Sequence, residues 1–206
     1  LIAKSIEKKI KKELEEMLKE DREKYDNFFK NFGMQLKFGV YNNFGMNKDV
    51  LKDLIMFYSS TEEKLVTLKE YVSRMKDAQD KIYYACGESI AKINTLPQVE
   101  SIKDKGYEIL YLTEYVDEFC LQVLMEYEGK KFANICSEDV NVDSEEEKKE
   151  LEEKNKNNSE MFKEMLGFLK DDIKAVRYTN KLKNHPVCLS TKGNVSVEME
   201  KVINAM

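Results

Sequence analysis

The sequence predicts an α/β protein, α+β taken whole, and three observations carry that prediction. Three short apolar runs, IYYAC at 82–86, ILYL at 109–112 and FANIC at 132–136, lack the alternation of half-exposed strands. Strands covered on both faces by crossover helices become continuous apolar runs, so these form a buried parallel sheet. The segments between them carry helix and turn signals, which makes the unit a small αβα sandwich. Helical apolar spacing dominates on both sides of it, in a helical connector before and in an α+β segment after.

Each element has a local cause. In residues 1–20, Ile2, Ile6, Ile10, Leu14 and Met17 recur at helical spacing among Lys and Glu, predicting one long surface helix. Residues 21–64 form the connector. It has two helical stripes (Tyr25, Phe28, Phe29, Phe32, then Val50, Leu51, Leu54, Tyr58) parted by breakers at Gly33 and 42–45. Residues 65–136 form the sandwich. Thr67 and Glu70 have capping-box spacing and start a helix through YVSRM. Gly87 ends the first strand, Ser89 caps the next helix, and Pro97 interrupts it before Gly106.

Residues 137–158 turn abruptly acidic and polar, as a solvated linker does, and are expected to become helical on the approach to Met161. Residues 159–206 begin with a packed helix (Met161, Phe162, Met165, Phe168, Leu169) and continue with two strand candidates, 175–179 and 187–191, joined through Pro186. They end on a helical stripe of Val195, Met199, Val202 and Met206, with Ile203 alongside. The chain starts and stops inside amphipathic patterns, so it is expected to be a piece of a longer protein.

Composition excludes several functions. Acidic residues outnumber basic ones, with a net charge of −5, so no positive field draws nucleic acid or anionic lipid. No run approaches the roughly 20 apolar residues of a membrane span, and there is no secretory leader; a cytoplasmic location is expected. Cys86, Cys120, Cys136 and Cys188 form no CxxC, and reduced core thiols are expected rather than zinc ligands or disulfides. A lone Gly after the first strand makes no phosphate loop, and the acidic run lacks the Gly and Glu order of an EF-hand. His185, the single histidine, precedes a proline in a polar turn. It has no catalytic partner in view.

Two apolar surfaces stand out. On the helix following 109–112, Val116, Cys120, Val123, Leu124 and Tyr127 form the core stripe, whereas Tyr115, Glu118, Phe119 and Gln122 project to a flank. The other is the 195–206 stripe. From periodicity alone, packing against a neighbouring element outweighs a binding role at both by about two to one.

The strings YVSRM (71–75), QDKIYYACGES (79–89), KGYEILYLTEYVDEF (105–119) and EGKKF (128–132) closely resemble the ninety-kilodalton heat-shock chaperone family, bacterial type, in order and spacing. LIAKSIEKKI (1–10), LKFGV (36–40) and VEMEKVINAM (197–206) extend the resemblance over all but the acidic run. The resemblance implies part of the middle domain and the start of the C-terminal domain of a homodimeric, ATP-dependent chaperone. It implies that ATP, Mg and the catalytic arginine belong to parts outside this chain, that Arg74 and Arg177 do not replace that arginine, and that this chain is no enzyme, needs no cofactor and is monomeric. Its partners would be partly folded client proteins. Glu118, Phe119 and Gln122 match the family's client contacts on the sandwich, with Phe119 where bacterial members usually carry Trp. Val195, Met199, Val202 and Ile203 match those on the C-terminal helix. The alternative is a non-catalytic scaffold whose apolar faces serve interdomain packing.

Overall fold

The computed structural model describes residues 2–205, apart from 78, 138, 139, 141, 170, 171 and 194. Met206 and the side chain of Ile2, both assigned to apolar stripes, lie outside what it describes. Helix α1 (Ile2–Glu20) buries Leu14, while Ile6 and Ile10 stand exposed. Helix α2 (Arg22–Gly45) opens where the Asp21 carboxylate accepts the Lys24 N–H at 3.1 Å. It runs through Gly33, contrary to the expected break. A Cβ there would lie 2.6 Å from the Phe29 ring, so the glycine gives that ring room against the helix. The expected breaker at 42–45 does end the helix, with Asn43 and Phe44 at positive φ.

After the short α3 (Lys48–Leu51), the connector differs from the expectation: it closes into a hairpin of β1 (Met56–Ser59) and β2 (Leu65–Thr67), paired antiparallel with Met56 opposite Thr67. Tyr58 sits in β1, stacked on Tyr111 at 5.9 Å, and not on a helical stripe. A buried strand of four residues shows no alternation, so period alone does not separate it from a helical segment. The capping box at Thr67 holds as expected. Glu70 N–H reaches the Thr67 hydroxyl at 3.2 Å and the Thr67 N–H reaches the Glu70 carboxylate at 2.7 Å, starting α4 (Leu68–Ser73).

The sandwich follows as β3 (Lys81–Cys86), α5 (Ile90–Asn94), α6 (Pro97–Asp104), β4 (Leu110–Leu112), α7 (Tyr115–Leu124), β5 (Glu126–Tyr127) and β6 (Lys130–Asn134). Its sheet has six strands in the order β2-β1-β4-β3-β6-β5. β3 runs parallel to both β4 and β6, and the outer strands pair antiparallel. The apolar runs are therefore the central parallel strands. Successive residues face opposite layers: Ile82, Tyr84, Leu110 and Leu112 pack with α2 and α7, whereas Tyr83, Ala85, Ile109 and Tyr111 pack with α5 and α6.

Within the acidic run the expected turn to helix comes early, at Glu145. Helix α8 (Glu145–Asn157) covers most of it, opened by a capping box between Ser144 and Glu147, with acidic residues in its first turn and Lys154 and Lys156 in its last. None of its described residues is buried, nor is any in α9 (Ser159–Leu169), so the helix expected to be packed there lays its apolar stripe on no core. The two strand candidates form no strand. Val187 and Leu189 are exposed, and among the described residues only a single bridge, Ser137 to Thr191, has sheet pairing there. An isolated hairpin without a buried face is marginal in water. Polar contacts hold this stretch, among them Tyr178 N–H to Asn155 at 2.8 Å and the Gln98 amide to Leu189 O at 2.8 Å. Helix α10 (Val197–Ala205) lies against α7.

Candidate functional site

The strings that carry the family resemblance meet one another in space. Lys37, from LKFGV on α2, forms a buried ion pair with Asp117, from EYVDEF on α7, at 2.6 Å. The Lys37 ammonium also lies 4.5 Å from the Phe57 ring centroid, and Asp117 closes the capping box of α7 by accepting the Glu114 N–H. One charge pair thus fixes both the start of α7 and its seat on α2. A second junction is the Tyr71 hydroxyl of YVSRM, which donates to Glu108 O at 2.7 Å and accepts from Tyr83 N–H and the Gln79 amide, each at 3.0 Å. It joins α4 to β3 and to the residue before ILYL.

With α7 fixed, its flank faces two ways. Phe119 is half-buried and makes an edge contact with Tyr41 of α2 at 5.6 Å, so it lies off the core as the periodicity predicts. Gln122 is exposed. Glu118 departs from the expectation: it is 5% exposed and points inward. Tyr84 donates to it at 3.1 Å, Asn134 at 3.4 Å, and the Ser196 hydroxyl also donates to it. Burial pushes its carboxyl up, against the downward pull of the hydrogen bonds from Ser196, Tyr84, Cys86 and Asn134.

The 195–206 stripe is likewise divided. Met199 is 4% exposed, with its sulfur accepting the Gln122 amide at 3.3 Å, so it is packed against α7 and does not stand free for a client as the family resemblance implied. Val202 is half-buried, while Val195 and Ile203 stay nearly half exposed. The physical reason is that α10 docks by the centre of its apolar stripe, leaving the stripe's edges in water. Between α7, α10 and the carboxyl ends of β3 and β4 a cavity of about 150 Å³ remains, lined by Gly87, Leu112, Tyr115, Glu118, Met199 and Val202 among others. Glu118 and Gln122 of the first candidate patch thus meet Met199 and Val202 of the second.

Comparison with known proteins decides the family. The family model described as Hsp90 protein matches residues 1–206. The chain belongs to the Hsp90 family. It is 55% identical over 206 residues to the Chaperone protein HtpG of Bacillus subtilis (strain 168), and 57% identical over 205 residues to that of Clostridium perfringens (strain 13 / Type A). Each match covers 100% of this chain but 33% and 32% of the relative, so the chain spans about a third of these Hsp90-family proteins.

The remaining chemistry is sparse. The Ser89 hydroxyl takes the Lys92 N–H at 3.2 Å, filling the cap behind Gly87 that a phosphate loop would leave open. His185 lies 3.8 Å from Glu100 on the surface. All four cysteines are free thiols, and burial pushes Cys120 and Cys136 up to about 12. Among the described residues no group of three or more His, Cys, Asp or Glu is arranged to hold a metal ion, and no helix is long and apolar enough to cross a membrane. Sequence reasoning missed Ser196, Tyr41 and Lys37. Ser196 stands three residues before Met199, the spacing of a helix cap, which was a readable signal. The burial of a lysine beside an aspartate 80 residues away leaves no trace in local pattern.

Proposed function

We propose that this chain is the client-contacting middle and early C-terminal portion of an ATP-dependent, dimeric, cytoplasmic Hsp90-type chaperone, and that it holds partly folded proteins without turning over nucleotide itself. Membership in the Hsp90 family over residues 1–206 carries this reading. The surface supports it: Phe119, Gln122, Val195 and Ile203 offer dispersed apolar and polar contacts beside a shallow cavity, a form suited to chains of varied sequence. Phe119 preserves an apolar plate where a Trp would add an indole donor, so contact there is less extensive. The ATP and Mg chemistry of the parent would reside in the two thirds of its length that this chain does not span.

The test is suppression of aggregation of a destabilised client by the 206-residue protein, paired with fluorescence anisotropy of a labelled client. Suppression together with saturable binding is expected. Neither effect, at concentrations well above micromolar, would leave the passive-scaffold reading, which the burial of Glu118 and Met199 favours.

A further inference from the structure

The Ser196 hydroxyl makes two bonds at once. Its oxygen accepts the Met199 N–H at 3.0 Å while the Ser196 carbonyl accepts the Glu200 N–H at 2.9 Å, so it caps α10. Its O–H donates to Glu118 on α7. Both side chains are buried, and Glu118 is held in turn by Tyr84 of β3 and Asn134 of β6. A chain of hydrogen bonds therefore runs from the sheet through Glu118 and Ser196 into the backbone of α10. Such buried, satisfied networks define orientation beyond what their separate energies add. Immediately after the cap, Met199 drops against Gln122 with its sulfur hydrogen-bonded, and Val202 follows into the same cavity wall. Val195 and Ile203 are left outside.

We propose that Ser196 and Glu118 are positioning residues for client binding: their hydrogen bond seats Met199 as a peg on α7 and so holds Val195, just before the cap, and Ile203 of α10 as one surface with the outer flank of α7. This rests on the client-binding reading above. It assigns Met199 and Glu118 to the seat and leaves contact to Phe119, Gln122, Val195 and Ile203. The ligand of such a surface is an unfolded segment long enough to touch both helices together, and neither helix alone supplies the full contact.

The experiment uses protein labelled with ¹³C-methyl methionine, the Met199 resonance being assigned with Met199→Leu, and fluorescein-labelled, reduced and carboxymethylated α-lactalbumin as the client. In Ser196→Ala the Met199 methyl is expected to move toward the position of solvent-exposed methionines such as Met46, while the melting temperature of the α/β body holds. Client affinity should fall about five-fold, the scale of losing one helix cap. Ser196→Thr, which keeps the hydroxyl, should restore both. Phe119→Ala should weaken binding without moving the methyl. An unmoved methyl in Ser196→Ala, or a moved methyl with undiminished affinity, overturns the proposal. A wild-type protein that binds no α-lactalbumin brings down the client reading itself, and the positioning role in binding with it, whatever the methyl shows.

Discussion

At the scale of single residues, burial separates side chains that the sequence groups together. Phe119 and Glu118 are neighbours on one flank by period, yet one touches Tyr41 at the surface and the other ends inside a hydrogen-bond network. Phe119→Ala is accordingly expected to weaken client binding in an anisotropy titration and to change thermal stability by no more than about 1 kcal/mol, because the partly buried ring belongs to neither buried cluster. Lys37 is the opposite case. Lys37→Met leaves the buried Asp117 carboxyl without its ion-pair partner, and breaking one side of such a pair costs about 3–5 kcal/mol. Urea unfolding of Lys37→Met checks this, and adding Asp117→Asn should recover a large share of the loss. Recovery would show the cost to be the stranded carboxyl. If the double variant is no better than the single one, the loss lies in the contacts of the lysine ammonium with the Phe57 and Phe29 rings.

Among elements, junctions decide more than helix interiors. Gly45 closes α2 at φ +75, and a Cβ there would stand 2.4 Å from Val123 of α7. Gly45→Ala therefore meets both an unfavourable backbone and a side chain of the packed helix, and is expected to cost about 1–3 kcal/mol in thermal unfolding. Helix α4 is tied down differently. Burial alone would raise the Glu70 carboxyl, but hydrogen bonds from Arg22 and Thr67 outweigh it and hold it below its ordinary value. A carboxyl lowered by folding contributes stability above its unfolded pKa and loses that contribution as pH falls through the folded one. Melting curves of wild type and Glu70→Gln should thus stand apart at pH 7 and converge below about pH 4. A gap that persists at low pH would mean the glutamate acts by shape and not by charge.

Over the whole molecule, cohesion is uneven. The two buried clusters on either side of the sheet draw on residues between Leu14 and Val140, whereas α8 and α9 bury none of their described residues and α10 is held chiefly through Ser196 and Met199. Local stability follows buried contact, so amide hydrogen exchange should be slowest in β3, β4, β6 and α7 and fast throughout α8 and α9. Uniform protection across both regions would contradict this division. The exposed face of α9, with Phe168 at 92% exposure and Met161 and Met165 beside it, belongs to the same weakly held region.

The sequence by itself determined the αβα unit, because IYYAC, ILYL and FANIC alternate with helix and turn signals, as central parallel strands joined by crossover helices do. It also determined the caps at Thr67 and Ser89, since capping is a matter of residues three apart. The family was legible for a like reason: its strings are local and keep their order. Tertiary structure alone decided the hairpin of β1 and β2, whose short strands gain their meaning from β4 beside them, and the absence of strand at 175–179 and 187–191, which found no sheet to join. It alone decided that Glu118 and Met199 turn inward. A periodicity states which residues share a face, but which part of that face is covered depends on what docks there, and here the contact is made by residues 78 positions apart in the chain.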